Sequence, residues 1–295
     1  MQRRKLEELN LMDDFLFNAV LTHPETGEKF IHKILKLLFD REFKNLKPSA
    51  QKVYAGMNTD LRGARLDVCI EGDYIDIEGS EIPSVYDVEP DQNNKVKDVA
   101  AFPKRSRFYH AMIDSRSLKT GEDFGKLKQV YVIFICNYDP FGYDRVLYTI
   151  KNRCLEEPEM DYDDGAETLV LYTKGKKGTI SEELRQFLNY MENTDQKNAV
   201  NEELQDIQRM VDVVKRDGEV SLRYMKSFEH DQLMYAQGEE AGRELGREEG
   251  RLAEMKNTER ERKIAEREKS RADMAQYRIK ELEAELKKYK EKLNT

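Results

Sequence analysis

The run Gln129-Val130-Tyr131-Val132-Ile133-Phe134-Ile135-Cys136 constrains this chain more than any other segment. It is the most apolar stretch in the sequence, rich in β-branched and aromatic residues, and too short for a typical globular helix. Such a run reads as a strand buried on both faces, at the centre of a sheet that helices cover. Its surroundings agree. Arg145 to Ile150 and Thr168 to Tyr172 read as further strands, and Ser181 to Met191 and Glu202 to Lys215 as helices. Upstream, Asp13-Asp14-Phe15-Leu16-Phe17-Asn18-Ala19-Val20-Leu21 starts a helix with an acidic first turn. Thr26 to Phe39 carries the apolar face of a second helix. Arg41 to Gly63 reads as a connector in which Val53 to Met57 forms a short edge strand. The order of elements predicts a mixed α/β domain over residues 1–216.

Composition divides the chain. Charged residues reach 37% and hydrophobic ones 39%, against roughly 25% and 45–50% in ordinary globular domains. The excess charge sits at the C-terminus. Gly238, Gly242, Gly246 and Gly250 recur every fourth residue in a Glu- and Arg-rich stretch, which predicts a helical, Gly-rich connector over 217–250. Glycines at that spacing mark either a flexible hinge or a helix closely approached by another backbone. Beyond it, Ala272, Ala275, Ile279, Leu282, Leu286, Tyr289 and Leu293 alternate spacings of three and four. That is a heptad seam, and residues 251–295 are expected to form a charged coiled-coil helix that joins the chain into a homo-oligomer.

The net charge of -8 argues against a sequence-independent DNA coat, although a local basic strip and a bound metal can supply a positive field. Three widely spaced cysteines, Cys69, Cys136 and Cys154, fit neither a disulfide framework nor a structural zinc site and read as buried free thiols. The basic N-terminus is followed by Leu6-Glu7-Glu8-Leu9 rather than by an apolar leader core. No segment approaches the roughly 18 apolar residues that a membrane span needs, so a cytoplasmic chain without a membrane partner is expected.

Two strand-like segments carry the chemistry. Ala64-Arg65-Leu66-Asp67-Val68-Cys69-Ile70-Glu71 ends at Gly72-Asp73, a turn signal, and Ser84-Val85-Tyr86-Asp87-Val88-Glu89 is stopped by Pro90. A hairpin of the two brings Asp67 and Glu89 together, a carboxylate pair suited to Mg2+ or Mn2+. The next segment, Lys95 to Leu118, reads as a helix kinked or split at Pro103. Lys95, Lys97, Lys104, Arg105 and Arg107 give it a basic strip suited to phosphate contacts. On these residues alone the signal is weak, because an Asp and a Glu on neighbouring strands are more often surface residues.

The series Asp14-Phe15-Leu16-Phe17, Leu66-Asp67-Val68, Tyr86-Asp87-Val88-Glu89-Pro90-Asp91-Gln92 and Arg105-Ser106-Arg107-Phe108-Tyr109-His110, with the glycine-spaced tail, resembles the Rpn branch of the PD-(D/E)XK nuclease superfamily. Its members are described as recombination-promoting nucleases of transposase type. The resemblance implies a restriction-endonuclease-like mixed sheet flanked by helices, with Asp67 and Glu89 as metal ligands. It also implies Mg2+-dependent DNA endonuclease activity. One position departs from the motif: Asp91 stands where Lys or Gln is expected. Four outcomes follow from it. Pro90 bulges Gln92 into the slot, Asp91 holds a second metal, Lys95 or Lys104 reaches in, or the site is inactive. In the last case the chain is a nuclease-fold scaffold acting through its coiled coil.

Overall fold

The computed structural model describes residues 4–50, 53–54, 64–65 and 68–293, and it divides into two units, residues 1–225 and 226–295. The first unit opens with α1 (Asp14–Thr22) and α2 (Gly27–Phe39), then β1 (Phe43–Ala50), β2 (Val53–Tyr54), β3 (Ala64–Arg65), β4 (Val68–Ile75) and β5 (Glu81–Asp91). It continues through α3 (Val96–Asp114), β6 (Gln129–Cys136), β7 (Leu147–Ile150), β8 (Ala166–Tyr172), α4 (Glu182–Glu192) and α5 (Glu202–Arg216). The last helix, α6 (Gly218–Leu293), begins in this unit and runs the length of the second. No described helix is long and apolar enough to cross a membrane.

Six strands form one mixed sheet in the order β1-β4-β5-β6-β8-β7, and β2 pairs with β3 separately. The strands β5, β6 and β8 are mutually parallel, and β1, β4 and β7 join antiparallel. The apolar run is β6, near the centre of the sheet as its composition requires, and its alternation divides the core. Tyr131, Ile133 and Ile135 point into a large cluster with α1, α2, α4 and α5. Val130, Val132, Phe134 and Cys136 point to the other face, where Phe102 and Ile113 of α3 cover them. On β5 the same alternation turns Tyr86 and Val88 towards the four helices and Val85 towards α3. The period of two therefore assigns Asp87, Glu89 and Asp91 to the α3 face.

The structure corrects several expectations. The strand containing Gly72-Asp73 does not turn there but runs on to Ile75, and the turn falls at residues 77–79. Gly72 is needed for a close approach: a Cβ on it would lie 2.5 Å from Leu46 Cδ2 on β1 and 3.1 Å from the Lys44 carbonyl oxygen. Residues 43–50, expected as connector, form the edge strand β1. Pro90 does not stop its strand, because β5 reaches Asp91 with Pro90 paired to Ile135. The Asp91 carbonyl accepts from Asn137 N at 3.2 Å on the β6 side. Strand groups alternate sides, so the missing Pro90 N–H falls on the side away from β6, where it costs that ladder nothing. Pro103 neither splits nor ends α3. Cys69 and Cys136 are buried outside any disulfide, whereas Cys154 is only half-buried.

Candidate functional site

A cleft of about 510 Å³ opens where β5 ends, lined by Asp13 and Asp14 from the start of α1, by Glu89 to Asn93, by Arg105 and Tyr109 of α3, and by Phe134 of β6. It lies at the carboxyl end of parallel strands, the usual place for ligands in an open α/β sheet. Three of the residues expected from the sequence, Glu89, Asp91 and Gln92, meet here with Arg105. Asp14, a carboxylate in the first turn of α1, where the helix dipole favours it, joins them. Asp67 lies outside the described residues. Among the described residues, no group of three or more His, Cys, Asp or Glu side chains is arranged to hold a metal ion.

Glu89 is 7% exposed and Asp91 6%. Both oxygens of the Asp91 carboxylate are hydrogen-bonded. Its Oδ1 accepts from Asn93 N at 2.8 Å, and its Oδ2 accepts from Tyr138 Oη at 2.9 Å and from Arg105 Nη2. These donors leave Asp91 little capacity to orient a water or bind a second metal. Its task is to hold Arg105. The guanidinium lies over the rings of Phe102 and Phe134, with centroid distances of 5.2 and 5.0 Å. Burial pulls the Arg105 pKa down and the Asp91 carboxylate pulls it up, with a net rise, so the group stays charged. Burial, and after it the same carboxylate, pushes the Tyr138 hydroxyl well above its ordinary range and keeps it a neutral donor.

Gln92 does not enter the lysine slot. The β5–β6 register runs unbroken from Ser84↔Gln129 to Asp91↔Cys136, so Pro90 introduces no bulge. The Gln92 amide is engaged instead: its Nε2 donates to Met12 O at 2.6 Å, and its Oε1 accepts from Asn137 Nδ2 at 3.5 Å. Lys95 and Lys104 are exposed and do not line the cleft. With Lys97 and Arg107 they form a solvent-facing basic group, while Arg105 turns inward from that strip. The cation that reaches the site is thus Arg105. Sequence reasoning placed it among surface phosphate contacts, although Phe102, Arg105 and Tyr109 share one helical face at spacings of three and four. Asp87, fully buried on the same face of β5 as Glu89 and Asp91, was not singled out; carboxylates at positions 87, 89 and 91 were the available signal.

A second polar group ties α3 to β8. Thr168 Oγ1 lies 2.8 Å from Ser106 Oγ and 2.9 Å from His110 Nε2, while His110 Nδ1 is buried without a partner among the described residues. Burial lowers the His110 pKa below its ordinary 6.5, against a smaller upward pull from Asp164. The unfolded chain therefore binds a proton more readily than the folded one. Stability contributed by neutral His110 is complete above pH 6.5 and is lost as pH falls from there towards the lowered value. Thermal unfolding between pH 7.5 and 5.5 is expected to show a smaller decline in Tm for His110→Gln than for the wild type. Equal declines would remove His110 as the cause.

The chain matches no family model, no curated protein and no solved structure.

Proposed function

We propose that the protein is a metal-dependent DNA endonuclease of PD-(D/E)XK type, with its active site in the cleft at the end of β5. The observation that carries this reading is the meeting of Glu89, Asp14 and the Asp91-held Arg105 in one partly enclosed cleft. The succession β4, β5, α3, β6 around it, an antiparallel pair followed by a helix and a parallel strand, supports a restriction-endonuclease-like core. The donor chemistry fits a hard divalent cation, because Glu89 and Asp14 bring carboxylate oxygens to the lining. Glu89 would hold Mg2+ or Mn2+ together with Asp67, which the sequence sets two residues before Cys69. When bound, the metal supplies charge neutralisation at phosphorus and an acidified water.

The chain's own residues do the rest. Arg105 supplies the positive charge that a lysine at position 91 would bring. Asp91 holds it through Nη2, and another edge of the guanidinium would meet a non-bridging phosphate oxygen. A guanidinium cannot serve as a base at neutral pH, so Arg105 stabilises charge rather than removing a proton. Lys95, Lys97, Lys104 and Arg107 on the outer side of α3 hold the DNA backbone without reading bases.

The test is direct. The purified full chain with Mg2+ or Mn2+ is expected to nick or degrade plasmid DNA, and Glu89→Gln and Asp67→Ala each to lower the rate by about a hundredfold or more. Cleavage at the wild-type rate by either variant would sink the assignment.

A rival reading, an inactive nuclease fold serving as a scaffold, draws support from two features: the commitment of Asp91 to internal hydrogen bonds and the long helix of the second unit. Calorimetry separates the two. Absence of Mg2+ and Mn2+ binding, together with intact folding, favours the scaffold.

A further inference from the structure

The second unit of the chain is one continuous helix with an exposed apolar stripe. Within α6, Ile279 is 54% exposed, Leu282 48% and Leu286 59%. Together with Ala272, Ala275, Tyr289 and Leu293 they occupy the two core positions of three successive heptads, a and d in the standard lettering, with a at 272, 279, 286 and 293. We propose that this stripe is covered by the same stripe of a second copy of the chain, in a parallel, in-register, two-stranded coiled coil over residues 272–293.

The charges flanking the seam select that partner and that direction. In a parallel pair, the residue just before each a position lies beside the residue five further on in the partner helix. Arg278 then meets Glu283 of the second copy, and Glu285 meets Lys290. Symmetry doubles both contacts, and the remaining pair, Arg271 with Gln276, is neutral. No like charges are opposed. Antiparallel pairing sets residues of the same flank against each other, and two core-matching offsets fit the seam. One brings Arg271 to Lys292, beside a single attractive pairing of Arg278 with Glu285. The other brings Glu285 to Glu285 and Glu283 to Glu283. Each antiparallel option therefore opposes like charges that the parallel one avoids.

One layer of the core favours the same state: Ile279 at an a position followed by Leu282 at d is the pairing that favours two strands over three or four, while the other a positions hold Ala272, Leu286 and Leu293. Within one helix the charges are weakly occupied: Arg278 lies 3.0 Å from Glu281, with both side chains largely exposed. Such a pair exchanges readily for an interhelical one. The four glycines at 238–250 lie outside this seam; a Cβ on any of them would meet no heavy atom within 4 Å.

The experiment uses the full chain carrying Cys154→Ser, which removes the half-buried thiol and leaves Cys69 and Cys136 buried. Light scattering is expected to give twice the chain mass of 34.7 kDa. Ala275→Cys, at a d position, is expected to form a disulfide-linked dimer on mild oxidation, because in-register parallel helices bring the two thiols face to face and antiparallel ones do not. Arg278→Glu is expected to weaken dimerisation about tenfold, since two attractive contacts become repulsive. Adding Glu283→Arg to it should restore most of the loss, although the contact with Glu281 stays broken. A monomer at tens of micromolar overturns the proposal. So does a trimer or tetramer, a dimer that fails to cross-link at position 275, or a double variant no tighter than Arg278→Glu alone.

Discussion

Arg105→Ala is expected to lower the stability of the first unit by about 3 kcal/mol, because it strands a carboxylate in a site built around a cation. Asp91 is 6% exposed, whereas the Arg105 side chain is 29% exposed. The two partners are therefore unequal. Without Arg105, Asp91 keeps the Asn93 and Tyr138 donors but loses its countercharge, and α3 loses a planar group packed on Phe102 and Phe134. Without the carboxylate, as in Asp91→Asn, Arg105 can turn its charge to water in the cleft; the amide oxygen still accepts from Asn93 N, and the amide nitrogen, in the place of Oδ2, can donate to Tyr138 Oη. That variant should lose only about 1 kcal/mol. Arg105→Met combined with Asp91→Asn removes both charges and keeps the stem over the rings. It is expected to be more stable than Arg105→Ala alone. Urea unfolding followed by tyrosine emission measures all three, since the chain has no tryptophan. Additive losses in the double variant would show that the two side chains do not act as a pair. Arg105→Lys should sit between, because an ammonium keeps the charge but not the planar stacking.

What the sequence could and could not reveal follows from the range of the forces involved. The place of β6 was legible because burial on both faces leaves its mark within eight residues. The helices α1, α2, α4 and α5 were legible because each carries an apolar face at helical spacing. Gly72 was misread because local chemistry marks glycine as a turn, while the actual demand comes from Leu46 on a neighbouring strand. Pro90 was misread for a similar reason. A proline ends a strand only if the missing N–H faces a ladder, and that depends on which neighbour lies on which side. At the site, Glu89 and Asp91 could be placed by alternation alone once β5 was recognised. Arg105 could not be told from Lys104 or Arg107 by residue type. Its role depends on the rotational phase of α3 against the sheet, for which Phe102 and Tyr109 at minus three and plus four were the only local clue.

That phase depends on Phe134, and Phe134→Ala is expected to cost about 4 kcal/mol and lower Tm by about 10 °C. The ring is fully buried on the α3 face of β6, with its centroid 4.7 Å from that of Phe102 and 6.0 Å from that of Tyr109. Its neighbours on the same face include Val132, Cys136 and Val170, all short side chains that cannot extend into the space it would leave. The cavity is therefore expected to persist rather than collapse. Phe134→Leu should cost only about 1–2 kcal/mol, because most of the volume is kept. Ile133→Ala provides the contrast, since Ile133 points to the opposite cluster. It should also destabilise, but without touching the ring under Arg105. If Arg105 is positioned by this packing, a double-mutant cycle between Phe134→Leu and Arg105→Met should show coupling, and one between Ile133→Val and Arg105→Met should not. A loss below about 1 kcal/mol for Phe134→Ala would mean that α3 settles onto the sheet without it. The inward phase of Arg105 would then need another cause.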